Sequence, residues 1–127
     1  MASAIDLARR FLDLARRDRM VFAKLADDPG MPDSAVGFFA QQCAEKAIKA
    51  VLIRRAVEFR RSHDLAELLD ILSDATGSAP PHADVLDEFS PYAVEFRYGL
   101  VEPEGLDRPK TSDILELLLG WADKEIA

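Results

Sequence analysis

Residues 38–52, FFAQQCAEKAIKAVL, contain no Gly or Pro and consist mostly of good helix formers, so the stretch is predicted to be a helix. Set at about 100° per residue, its apolar side chains do not keep to one face. Phe38, Phe39, Cys43, Ala47, Ile48, Val51, Leu52 and Ile53 go nearly all the way round. A helix of that kind is covered on most sides and forms a central member of its fold. Gln42, Glu45, Lys46 and Lys49 nevertheless share one sector of it, beside Phe38 and Ile53. A buried polar group without a partner costs about 1–3 kcal/mol, and an unpaired charge more. These four residues therefore demand counterparts elsewhere in the chain.

At 127 residues the chain is long enough for one domain with an ordinary core, without a metal or disulfide staple. Its 49% apolar and 31% charged residues are normal for a soluble globular protein. The only cysteine, Cys43, excludes an internal disulfide and sits on the apolar helix as a small hydrophobe. A reducing, cytoplasmic location is expected. Residues 1–18 are charged throughout, so no signal peptide is expected. No run approaches the ~18 apolar residues of a membrane span. A net charge of −7 argues against a general nucleic-acid coat. The charge is uneven, however: Arg9, Arg10, Arg16, Arg17 and Arg19 cluster early, and Arg54, Arg55, Arg60 and Arg61 follow the central helix. A local basic patch and a simply solvated arginine face both fit this pattern.

In order, the chain reads as five helical segments with no convincing strand, an all-α, antiparallel up-and-down bundle of four to five helices. The first helix spans 3–26, with Ser3 as cap and Asp6 in its first turn. Ile5, Ala8, Leu12 and Ala15 form one apolar row, and Leu7, Phe11, Leu14, Val21 and Leu25 a second. Asp18 projects into that face, either reaching solvent at its rim or meeting Lys46 or Lys49. Asp27-Asp28-Pro29-Gly30 ends the helix, and Asp33 or Ser34 caps the central one, which continues to about Val57. Ser62 is read as the cap of a third helix carrying Leu65, Leu68, Leu69 and Leu72, with Gly77 as its stop. A fourth starts near Pro81, and Ser90-Pro91 either kinks it or begins a fresh helix. Residues 100–110 read as a loop, and the last helix runs from Ser112, its cap, to about Ile126.

Chemical motifs are few. There is no GxxxxGK[ST], and the six glycines lie scattered in turns. One cysteine and two histidines do not make a zinc site by the usual spacings. No ExxH pair appears, as a di-iron carboxylate bundle would need. No metal and no cofactor is expected. A nucleophilic Cys43 would need an electropositive, exposed setting that an apolar helix does not offer.

The series FFAQQCAEKAIKAVLIRRAVEF followed by SHDLAELL resembles the signature of the HEPN domain, the higher eukaryote and prokaryote nucleotide-binding family. Small prokaryotic members carry a helix of the form F-x-x-Q-Q-x-x-E-K-x-x-K-x-L, then H-D-L opening the next helix. An aromatic-rich segment ending in R-Y-P follows. Here the matching residues are Phe38, Gln41, Gln42, Glu45, Lys46, Lys49 and Leu52, then His63, Asp64 and Leu65, then Tyr92, Arg97 and Tyr98. Ala15 to Asp18 match the family's first helix, and Gly99 stands where the family usually has proline.

The resemblance implies an antiparallel helical bundle, commonly a homodimer, acting beside a minimal nucleotidyltransferase as half of a toxin–antitoxin pair. Catalytic members are metal-independent ribonucleases with R-x(4–6)-H. Arg97 resembles that arginine, but no histidine follows it. Metal-free RNA cleavage calls for a general acid or base, for which histidine is the natural choice. The expectation is thus a non-catalytic subunit that binds a nucleotide, RNA or a partner. Its ligand-binding candidates are Gln42, Glu45, Lys46, Lys49, His63, Asp64, Arg97 and Tyr98, with Asp18 as structural polar partner. A ribonuclease toxin using Arg97 and a purely structural helical dimer are the alternatives. For His63, a packing role at a helix start stands beside a place in a shared polar pocket with Lys46, Lys49 and Arg97. Lys46, Lys49 and Arg97 either bind a phosphate, Arg97 through two parallel bonds, or are neutralised internally by Glu45 and Asp18. Tyr98 either stacks on a base or plugs the bundle end.

Overall fold

The computed structural model describes residues 3–99 and 105–127. Among them the secondary structure is helical without strands. The elements are α1 (Ala4–Ala26), α2 (Asp33–Arg54), α3 (Leu65–Thr76), the single turn α4 (Ala83–Leu86), a 3-10 turn (Asp87–Phe89), α5 (Ser90–Tyr98) and α6 (Arg108–Ile126).

The central helix is α2, as its all-round apolar surface requires. It packs on α1, α3, α5 and α6, and Val36, Ala40, Ala44, Ile48, Val51 and Leu52 are fully buried. Burying a residue such as Ile48 or Leu52 stabilises the fold by about 1.5–3 kcal/mol. Ion pairs fix the directions. Arg16 meets Asp123 while Arg19 meets Glu116, so α1 and α6 run antiparallel. Arg108 at the start of α6 meets Asp33 at the start of α2, and Arg55 just past α2 meets Glu125 near the end of α6. Helices α2 and α6 therefore run in the same sense, as alternate members of an up-and-down bundle do.

On α1, Ser3 and Asp6 form a reciprocal capping box. The row actually buried is Ala8, Leu12, Ala15 and Phe22, while Leu7 from the expected second row is exposed. Several boundaries differ from those read in the sequence. Residue Pro32, not Asp33 or Ser34, occupies the N-cap of α2, and Asp33 lies in the first turn accepting from Arg108. That helix stops at Arg54, because Ala56 takes a left-handed conformation (φ 56°) and the Val57 N–H turns back to the Leu52 carbonyl.

Asp64 rather than Ser62 caps α3, accepting from the Glu67 N–H, while Ser62 accepts from Asp64 and donates to Glu67. Gly77 ends α3 at φ 71°, as expected. The break before α5 is the 3-10 turn, upstream of Ser90-Pro91, and Pro91 simply occupies the first turn of α5. Asp107, not Ser112, caps α6, accepting from the Lys110 N–H with Pro109 in the first turn. Of the expected loop, residues 100–104 lie outside the described residues, and the helix has already begun by 108.

One residue ties three of these elements together. Arg108 donates to both the Asp33 carboxylate and the carbonyls of Ala26, Asp28 and Met31, closing the turn between α1 and α2 from the start of α6. Nearby, Gly37 lets α5 cross α2 closely, since a Cβ there would lie 2.4 Å from Tyr92. That crossing brings α5 over the polar part of α2.

Candidate functional site

The polar sector of α2 divides into two rows, each with residues four apart on one line of the helix. Gln42 and Lys46 form the first. Lys46 donates to Asp18, which is only 5% exposed on α1, so the acid that projects into the apolar face of α1 is paired. Gln42 donates to the Gln41 side chain at 2.8 Å.

Gln41, Glu45 and Lys49 form the second row. Glu45, 3% exposed, is its hub. It accepts from Lys49 Nζ at 3.1 Å and from Gln41 Nε2 at 3.4 Å. Nδ1 of His63 lies 3.0 Å from each of its carboxylate oxygens. Gln41 also donates to the His63 backbone carbonyl at 2.9 Å, so one amide holds the residue that faces the hub. The geometry makes Nδ1 the hydrogen-bearing nitrogen against the carboxylate, which leaves Nε2 as the other ring nitrogen on a side chain 60% exposed. Lys49 is consumed in this arrangement: it is 8% exposed, with Nζ over the Phe59 ring at 6.0 Å.

A cleft of about 430 Å³ opens beside this row. It is lined by Gln41 of α2, His63 and Asp64 at the α3 N-terminus, Asp87 of the 3-10 turn, and Ser90 and Arg97 of α5. Arg97 has its guanidinium carbon 5.4 Å from the centre of the Phe38 ring, and Phe38 in turn stacks on Phe96 at 4.6 Å. A guanidinium is planar by itself, and an aromatic ring beneath it restrains the group while leaving its in-plane donors for two-point recognition of a phosphate or carboxylate. Among the candidates read from the sequence, the cleft gathers His63, Asp64 and Arg97, with Glu45 behind His63. Gln42, Lys46 and Lys49 are not part of its lining, and both lysines are neutralised internally. Tyr98 is 70% exposed at the end of α5 and does not plug the bundle.

Gln41 is the functional candidate that the polar-sector reading left out. The signal for it was the four-residue spacing 41, 45, 49, which places it in line with the hub. At Gly99, φ is 63° and the N–H donates to the Glu95 carbonyl at 2.7 Å. Proline could neither adopt that angle nor supply that donor, so the departure from the family pattern is built into the end of α5.

No group of three side chains able to hold a metal ion occurs among the described residues. Nor is any helix among them long and apolar enough to cross a membrane. No curated protein and no solved structure matches the chain. The HEPN domain model matches residues 4–119, nearly the whole helical bundle. The chain belongs to the HEPN domain family.

Proposed function

We propose that this HEPN chain is a non-catalytic binding subunit that holds the phosphate of a nucleotide or of RNA in the cleft between α2, α3 and α5. The observation that carries this reading is the convergence of Arg97 and His63, from segments far apart in sequence, on one cleft floored by Gln41. Its volume of about 430 Å³ falls within the range of about 300–1,000 Å³ usual for ligand pockets. Val94, at the edge of the cleft, and Tyr98, four residues on along the same line of α5, expose apolar and aromatic surface. We assign that face to protein partners, a second copy of the chain and a minimal nucleotidyltransferase. Calorimetry with adenosine 5′-monophosphate tests the ligand half: loss of a charge-assisted contact in Arg97→Ala is expected to weaken binding about tenfold or more. Unchanged affinity would remove Arg97 from the site. Affinity capture from the host tests the partner half, which fails if the chain is recovered alone.

One observation favours a second reading, metal-independent RNA cleavage. The histidine that does not follow Arg97 is supplied to the same cleft by His63, held by Glu45 in the manner of an oriented general base. Growth arrest on expression, relieved by Arg97→Ala and by His63→Gln, would establish this reading. Equal growth of all three strains would exclude it.

A further inference from the structure

We infer that His63 binds the ligand's phosphate in its protonated form, taking up a proton on binding that the buried Glu45 carboxylate helps to hold. This rests on the cleft being a phosphate site, as proposed above, and adds how that site is charged.

The charges facing His63 come from each surrounding element. Glu45 and Lys49 lie on α2 and pair with each other at 3.1 Å. Asp64 stands at the N-cap of α3, Asp87 in the 3-10 turn and Arg97 on α5. In the adjoining linker, Arg60 is occupied by Glu67. With His63 neutral, the two aspartates that line the cleft outnumber Arg97, and an incoming anion meets an opposing field. A proton on His63 restores the balance and adds a donor on the cleft. The ring is placed for this, since Nδ1 sits 3.0 Å from each oxygen of the buried Glu45 carboxylate, so a proton added at Nε2 leaves that hydrogen bond in place. Its side chain is 60% exposed, so the proton exchanges with solvent without opening the fold. Lys49 already serves the same carboxylate, but it is buried and fixed, so His63 is the cation that can be gained or lost.

The probe is the deoxydinucleotide dTpdT. Its diester carries one charge across the neutral range and lacks the 2′-hydroxyl needed for cleavage. A monoester such as adenosine 5′-monophosphate itself titrates near pH ~6, so it serves as the comparison that separates a terminal phosphate from a strand. His63 and His82 are the only histidines, and His82→Gln assigns their ring proton signals. Saturating dTpdT is expected to move the His63 titration to higher pH. Affinity is expected to fall with rising pH, at the limit by about tenfold per unit for one linked proton. His63→Gln is expected to bind more weakly and without that slope. Binding of dTpdT that leaves the His63 titration where it was would overturn the inference while sparing the phosphate site. Failure of both probes to bind at any pH would overturn the phosphate site itself, and the inference with it.

Discussion

Lys46 and Asp18 join the two longest helices by a hydrogen-bonded ion pair whose acid is almost wholly buried. Asp18 sits on a face of α1 that is otherwise apolar, and Lys46, from the polar sector of α2, is the partner that makes its burial tolerable. The nearby Lys49 solves the same problem differently, by pairing with Glu45 on its own helix.

Removing one member strands the other. Asp18→Ala is expected to destabilise the fold by about 3 kcal/mol, toward the lower end for buried pairs because Lys46 is about a fifth exposed. Asp18→Leu combined with Lys46→Met is expected to recover most of that loss. Urea unfolding of the parent and both variants decides the matter, and a double variant no more stable than Asp18→Ala would contradict it.

Gly37→Ala sets two effects against each other. Helix propensity alone would favour alanine by about 1 kcal/mol. The added Cβ would lie 2.4 Å from Tyr92 Cβ and Cγ, which must shift with α5, and overpacking of this kind costs about 1–3 kcal/mol. A net loss is expected, seen as a lower Tm in thermal unfolding. Because the Cβ of residue 92 is itself 2.4 Å from the added methyl, a Tyr92→Ala background is expected to relieve only part of that loss, and a Tyr92→Gly background more of it. A higher Tm for Gly37→Ala alone would show that α5 yields freely.

Cys43 gives a pH signature. Burial, reinforced by the field of Asp18, pushes its thiol from 9.0 up to about 12. A folded-state pKa above the unfolded one means a contribution fully present below pH 9 and lost as pH rises toward 12. The urea midpoint of the native protein is thus expected to fall between about pH 8.5 and 10.5 more steeply than that of Cys43→Ala. Parallel curves would place the thiol in contact with water.

Much of the bundle was legible because its determinants are local. Ser3 with Asp6, the run of good helix formers over residues 38–52 and Gly77 after α3 each act within the element they define or a turn from it. For Asp18 the residues leave a solvent-facing rim position and a pairing with Lys46 or Lys49 both open, and the packing of α1 on α2 decides for Lys46. What the residues did not disclose was competition between equivalent local signals. Ser62 and Asp64 can both cap α3, and the aspartate prevails two residues later in the chain, next to the His63 held against Glu45. Ser112 and Asp107 can both cap α6, and Pro109, which suits a loop by composition, has a fixed φ that equally suits a first helical turn. The separation of Lys46 from Lys49 depended on which neighbours α1 and the α2–α3 linker presented, and that is a tertiary fact.

The clasp made by Arg108 has a bearing on the order in which the chain can mature. The turn joining α1 to α2 is completed by a side chain 77–82 positions downstream. As the chain emerges during synthesis, the first hairpin can collapse along its apolar seam long before that arginine exists. Until then the carbonyls of Ala26 and Met31 turn to water, while that of Asp28 keeps the Met31 N–H within the turn. The amino-terminal hairpin therefore waits on the carboxy-terminal helix for the final closure of its turn.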